Sequence, residues 1–352
     1  MAETNGRSAY FAAVNSGRGF VSLFEGIFFG ESITRRYIIK GGPGTGKSSF
    51  MRRVGQRALG EGRGVEYYYC SSDTASLDGV VIDGRVAIFD GTAPHSYDTT
   101  APGVRDEIIN LGAFWDAEIL RGEADGIGRL TEQKRAAYRR AYGYLRAALE
   151  VARTAEDVVS DCVLWDKMRS AVARDLGKLG LERKGTVTYA QTEAMGVRGR
   201  AYLPTLVSSS PRVHFVEDCH GIAAAYLGEL LSLAKKEGLE ARISVDTVDT
   251  ERVREIYFPE TGDVFTAVGD AVGEDCPRVN MRRFVDADKY AWIRRAHRAS
   301  VGAYERLTDL AIEELGRAGR AHAEMEKYYV SAMDFSALEQ FVREFLDKVG
   351  GL

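Results

Sequence analysis

Gly41, Gly42, Pro43, Gly44, Thr45, Gly46, Lys47 and Ser48 spell the pattern G-x-x-x-x-G-K-[ST]. The spelling has a physical cause: several backbone N–H groups can converge on an anion only where glycine lets the chain come close to it. Gly41, Gly44 and Gly46 supply that turn. Lys47 is a point charge suited to the β- and γ-phosphates of a nucleotide, and the Ser48 hydroxyl is an oxygen ligand for Mg²⁺ at a helix N-terminus. Gly41, Gly42, Gly44, Thr45, Gly46, Lys47, Ser48 and the adjoining Ser49 are therefore the expected nucleotide-binding residues. ATP and Mg²⁺ are the expected ligands, and Lys47 is expected to serve catalysis as well as binding.

The neighbouring sequence supplies the context that such a loop requires, a strand before it and a helix after it. Tyr37, Ile38 and Ile39 form a short apolar, β-prone run, as in a buried parallel strand. After the loop, Phe50, Met51, Val54, Ala58 and Leu59 recur at helical spacing, with Arg52, Arg53 and Arg57 off that stripe. Gly60, Gly62 and Gly64 end the helix.

Further on, Val65 to Cys70 reads as a second strand ending at Ser71, Ser72 and Asp73, and Val86 to Phe89 as a third ending at Asp90. Alternating strands and helices predict an α/β fold with a parallel, doubly wound sheet of the P-loop type, whose ligand crevice lies beyond the carboxyl ends of the strands. Asp73, Asp90 and His95 then share a rim with the loop. Asp90, closing an apolar strand, is expected to join Ser48 at the Mg²⁺ shell. Gly91 follows it where many ATP-hydrolysing proteins place a glutamate, so hydrolysis needs another base, for which Asp73 and His95 are the candidates. Asp78, Asp98 and Glu107 are further acids in the same stretch that spacing does not rank.

From about Val104 the texture becomes helical, and Tyr138, Tyr142, Leu145, Leu149, Ala152 and Val159 are spaced for one buried face. A helical insertion over about 120–185 is expected to hang from the sheet. Its basic run, Lys134 to Arg140, is read as a solvated face. The cluster Ser208, Ser209, Ser210 and Pro211 marks an expected boundary, giving domains 1–207 and 208–352.

Beyond that boundary the first half recurs. Phe114-Trp115-Asp116 echoes Phe284-Val285-Asp286, each before a helical region, and Ala9-Tyr10-Phe11 faintly echoes Ala201-Tyr202-Leu203. Such echoes are what duplication leaves behind. Where a second loop belongs, the chain has Glu217, Asp218, Cys219, His220 and Gly221, with no Gly-Lys-Ser. Two acids there would repel a triphosphate, so the second half is expected to be a degenerate copy that ends in a helical region. Cys219 and His220 are adjacent, which is poor geometry for a nucleophile and base or for a shared metal.

The stretches Tyr37 to Ser49, Cys70 to Val80 and Asp90 to His95 resemble a bacterial family of tandem P-loop proteins known as ATPases or ATP-binding proteins. The resemblance covers most of the chain, with its specific motifs in residues 37–116, and implies one P-loop domain per half. Members often keep Gly-Lys-Ser/Thr in both halves, a pattern from which this second half departs.

Composition bounds the partners. The 352 residues are 45% hydrophobic and 28% charged with a formal charge of -4, which gives no global drive toward nucleic acid or anionic membrane. The first residues hold no signal-peptide core and no later run is long enough to cross a membrane, so a cytoplasmic location is expected. Cys70, Cys162, Cys219 and Cys276 show no C-x-x-C spacing, and buried thiols are expected. The leading reading is a Mg²⁺-dependent ATPase with one working site, its second half regulatory or structural and its protein or small-molecule partner unknown. Two alternatives stand beside it: a small-molecule kinase, in which Asp73 or His95 prepares an acceptor hydroxyl, and a nucleotide-gated scaffold without turnover. The chain has neither an Asn-Lys-x-Asp guanine motif nor a Leu-Ser-Gly-Gly-Gln transporter signature.

Overall fold

The computed structural model describes residues 7–349. The first half opens with strand β1 (Arg7–Phe11), the hairpin β2 (Ala13–Ser16) and β3 (Gly19–Ser22), and helix α1 (Phe24–Phe28). Strand β4 (Arg35–Lys40) leads into the glycine loop and helix α2 (Lys47–Gly60). Strands β5 (Val65–Tyr69), β6 (Leu77–Ile82), β7 (Val86–Asp90) and β8 (Asp106–Asn110) complete the six-stranded sheet, in the order β1-β5-β6-β7-β4-β8.

This sheet is mixed, which corrects the expectation of an all-parallel one. β4 runs parallel to β7 and β8, and β1 parallel to β5, whereas β6 is antiparallel to both of its neighbours. The reason is loop length. Parallel neighbours need a crossover of a dozen residues or so, and the links on either side of β6 are short turns. In one of them Asp83 and Gly84 both take positive φ, 50° and 64°, as a tight hairpin turn demands.

Three helices follow: α3 (Ala117–Gly122), α4 (Ala124–Ser160) and α5 (Trp165–Gly177). The second half then repeats the first. Strand β9 (Val187–Tyr189), hairpin β10 (Glu193–Gly196) and β11 (Gly199–Tyr202), and helix α6 (Thr205–Ser208) lead to β12 (Arg212–Glu217) and α7 (Ala223–Lys236). Strands β13 (Ala241–Val245), β14 (Val253–Phe258), β15 (Asp263–Thr266) and β16 (Arg278–Asn280) finish a sheet of order β9-β13-β14-β15-β12-β16. Strand order and every strand direction match the first sheet, including the lone antiparallel member, β14. Helices α8 (Ala287–Ala332) and α9 (Phe335–Val349) close the chain.

The repeat begins earlier than the serine cluster at 208–210. β9 pairs with β13, so residues 187–189 already belong to the second sheet, the β10–β11 hairpin follows as a separate two-stranded sheet, and the cluster lies between α6 and β12 inside that half. Of the two sequence echoes, Asp116 and Asp286 occupy matching places: each accepts backbone N–H groups at the start of a helix. Ala9–Phe11 and Ala201–Leu203 do not, because β1 corresponds to β9 and β11 to β3.

The halves exchange their last helices. α5, from the first half, packs Met168, Ala171, Val172 and Leu176 into the core of the second, against Tyr226, Leu227 and Leu230. α9 returns the exchange, setting Leu338, Val342 and Phe345 against Tyr37, Phe50 and Met51. The crossing points are themselves repeated, since Trp115 bridges Met333 and Val163 bridges Val285. Between the sheets α4 and α8 lie antiparallel, in contact from Thr131 and Met325 to Arg140 and Glu314, with Leu145, Leu149, Ala311 and Leu315 in their shared core. Each half therefore completes the other's core. No helix of the described residues is long and apolar enough to cross a membrane.

Candidate functional site

The glycine loop opens α2 at the carboxyl end of β4. Gly44 and Gly46 have φ of 67° and 84°, which L-residues with a side chain rarely adopt. A Cβ on Gly42 would fall 2.7 Å from the Tyr329 ring. Packing thus adds its own demand for glycine. The Thr45 hydroxyl donates to the Gly42 carbonyl at 2.9 Å, and the Lys47 ammonium donates to the carbonyls of Gly41 at 3.0 Å and Gly42 at 2.9 Å.

Asp90 arrives through strand register. In the β4–β7 ladder it stands opposite Ile39, and its Oδ2 lies 3.5 Å from Lys47 Nζ. Its other oxygen accepts from the Thr92 amide and hydroxyl, which fixes the carboxylate. The Ser48 hydroxyl accepts the Leu77 amide at 2.9 Å, and Ser49 is exposed on the same turn. Gly41, Gly42, Gly44, Thr45, Gly46, Lys47, Ser48 and Asp90 are therefore gathered in one place.

Asp73 and His95 are placed differently. The Asp73 carboxylate closes its own turn, accepting from the Ala75 amide at 3.3 Å and the Ser76 hydroxyl at 2.7 Å, with Arg198 at 3.7 Å. His95 is 5% exposed and stacks on Phe24, ring centroids 3.8 Å apart, with Phe20 against its edge. Asp73 is thus held in a turn with a partly exposed carboxylate, and His95 is a core residue.

The long helices contribute groups whose place beside the loop the sequence does not reveal. Lys134 of α4 donates to Nδ1 of His322 on α8 at 3.4 Å, and His322 lies 3.6 Å from Glu326. Burial pushes the Lys134 ammonium down, helped by the charges of Arg135 and Lys47. Burial likewise pushes His322 down, to about 4, with Lys134 and Lys47 adding to the effect. Glu326 is pushed up by burial, against which the Gly44 amide helps keep its carboxylate charged. Lys134, expected on a solvated face, instead lies partly buried in the same field as Lys47. Helix periodicity showed that α4 and α8 bury a stripe without showing what that stripe meets.

The His322 shift makes a pH prediction. A histidine whose folded pKa is depressed stabilises the fold fully above its unfolded value of 6.5, and that contribution is lost as pH falls toward about 4. Urea midpoints of the His322→Gln variant should therefore fall less steeply between pH 7 and 4 than those of the parent chain. Parallel slopes would show that His322 is not held neutral.

The matching loop of the second half has other chemistry. The Asp218 carboxylate accepts the amides of Gly221 at 2.9 Å and Ala223 at 2.8 Å, so the start of α7 is met by the chain's own anion. His220, at φ 64°, stacks on Tyr290 with centroids 3.6 Å apart. Burial pushes the Cys219 thiol up, away from reactive thiolate. Ala223 and Ala224 take the places of Lys47 and Ser48, and by strand register Ala267 takes that of Asp90. A cavity of about 1140 Å³ lies above this loop, but arginines on its wall are engaged: Arg254 with Glu193 at 3.0 Å, Arg252 with the Gly221 carbonyl and Arg200 with the Thr308 hydroxyl.

Among the described residues, no three His, Cys, Asp or Glu side chains gather as a metal cage. Comparison with family models, with curated proteins and with solved structures finds no match for this chain.

Proposed function

We propose that the first half binds a nucleoside triphosphate with Mg²⁺ and hydrolyses it, ATP being the expected nucleotide. The observation that carries this reading is the meeting of Lys47 and Asp90, 3.5 Å apart, at a left-handed glycine loop that opens a 14-residue helix. A cation for the phosphates and an acid for the metal shell are both wanted at such a place. Ser48 and Asp90 would hold Mg²⁺, with phosphate oxygens and water filling the remaining positions, as suits an ion that keeps much of its hydration. When bound, the metal would neutralise charge on the phosphates. Lys47, now resting on loop carbonyls, would turn to the β- and γ-phosphates, and Lys134 adds positive field from α4.

The second half is proposed to be a regulatory or structural copy without a triphosphate site. Asp218 supports this, because its carboxylate engages the amides that a phosphate would need. The kinase reading is weakened by the placement of Asp73 and His95, its two candidates for activating an acceptor hydroxyl. The tandem P-loop resemblance agrees with the duplicated sheets and remains part of this proposal. Its test is ATP turnover by the purified chain and by Lys47→Ala, with loss of turnover in the variant expected; equal rates would remove the assignment.

A further inference from the structure

The β5–β6 ladder carries one extra residue. Tyr68 stands opposite Gly79 and Tyr69 opposite Leu77, which leaves Asp78 bulged between them. Bulges re-aim a side chain and are common beside active sites. On its other side, β6 meets β7 with Gly79 opposite Phe89, so Asp78 and Asp90 are the next residues on the two strands beyond that pair. The residue before it, Leu77, holds the Ser48 hydroxyl. The backbone of Asp78 is thereby one residue from the contact with Ser48 and one register step from Asp90.

Its environment sets it apart from the other acids of this half. Asp78 is 6% exposed, and among the described residues its Oδ2 accepts no hydrogen bond; His95 Nε2 lies 3.4 Å from it, and the His95 Nδ1 is likewise without a hydrogen-bond partner among those residues. A buried carboxylate oxygen without a hydrogen bond is costly, and a catalytic role is one reason for which a protein keeps such a group. The other half shows where this position points. In the second sheet Ser244 stands opposite Glu255 and Val245 opposite Val253, which makes Arg254 the bulged residue. Arg254 lines the cavity over the Asp218 loop and is paired with Glu193. The same place in the repeat thus holds an arginine paired with a carboxylate over the second-half loop, and an acid set against His95 over the glycine loop.

We propose that Asp78 is the general base of the first-half site, an inference that rests on the ATP hydrolysis proposed above. It accepts a proton from the attacking water as that oxygen bonds to the γ-phosphorus. The bond from phosphorus to the β–γ bridging oxygen breaks, its electron pair leaves with ADP, and the proton passes from Asp78 to solvent. The glutamate missing after Asp90 is replaced from the neighbouring strand, with His95 as the group positioned against it.

Asp78→Asn and Asp78→Glu test this through ATP binding, turnover and thermal midpoint. Asp78→Asn should bind ATP within about two-fold of the parent chain, turn it over at least about 100-fold more slowly, and melt no lower, because the amide keeps the carboxylate's size and shape. Asp78→Glu should recover part of the rate. Turnover by Asp78→Asn within about three-fold of the parent's, or a lowered melting point that accounts for its loss, would overturn the assignment of Asp78 while leaving ATP binding in place. A parent chain that binds no ATP would instead remove the nucleotide reading, and Asp78's role with it.

Discussion

Lys47→Ala is expected to lower ATP turnover by at least about 100-fold, the scale of losing one preorganised group that meets developing charge, and to weaken ATP binding. The fold should survive the change. Among the described residues the Lys47 ammonium bonds only loop carbonyls and lies near Asp90, so no apolar core depends on it. Steady-state ATP hydrolysis and melting of the two proteins measure both quantities. A variant that melts like the parent and hydrolyses ATP at the parent's rate would show that the glycine loop is not the catalytic site.

Phe345→Ala should be the most damaging of the core substitutions near the proposed site. Phe345 lies in α9, almost at the end of the chain, yet it is 5% exposed and packs on Tyr37 and Phe50, with centroids 5.2 and 4.9 Å away. Those partners flank the glycine loop, one on β4 and the other on α2. Emptying a buried phenylalanine site costs about 3–5 kcal/mol, enough to endanger a domain of ordinary stability. Urea unfolding should show a loss on that scale, with ATP affinity falling together with the folded fraction. A change below about 1 kcal/mol would mean that α9 is not seated on the first sheet in solution.

The glycine loop was legible because its chemistry is local. Glycine at positive φ, a lysine and a hydroxyl on the first helical turn must be consecutive, and consecutive residues can be read directly. The antiparallel strand β6 had a local signal too, Asp83-Gly84, which the expectation of alternating strands and helices passed over. The helix exchange had none. An amphipathic stripe on α5 or α9 states that something apolar must cover it, and either sheet satisfies that equally well.

The site residues divide along the same line. Asp90 was readable as an acid closing an apolar strand. His95 looked catalytic beside it because Phe24 and Phe20, which bury it, come from a hairpin and helix far earlier in the chain. Lys134, His322 and Glu326 sit on long helices whose contacts depend on how two halves meet, and Asp78 became distinct only through a one-residue bulge. Sequence spacing carries information along an element. It carries little about which element stands opposite.

The most direct test is an equilibrium titration of the chain with ATP and Mg²⁺, repeated on Lys47→Ala and on Asp218→Ala. One nucleotide per chain is expected, with binding weakened by Lys47→Ala and unchanged in Asp218→Ala. No binding, or binding that persists undiminished in Lys47→Ala, would contradict the assignment of the first-half loop as the triphosphate site.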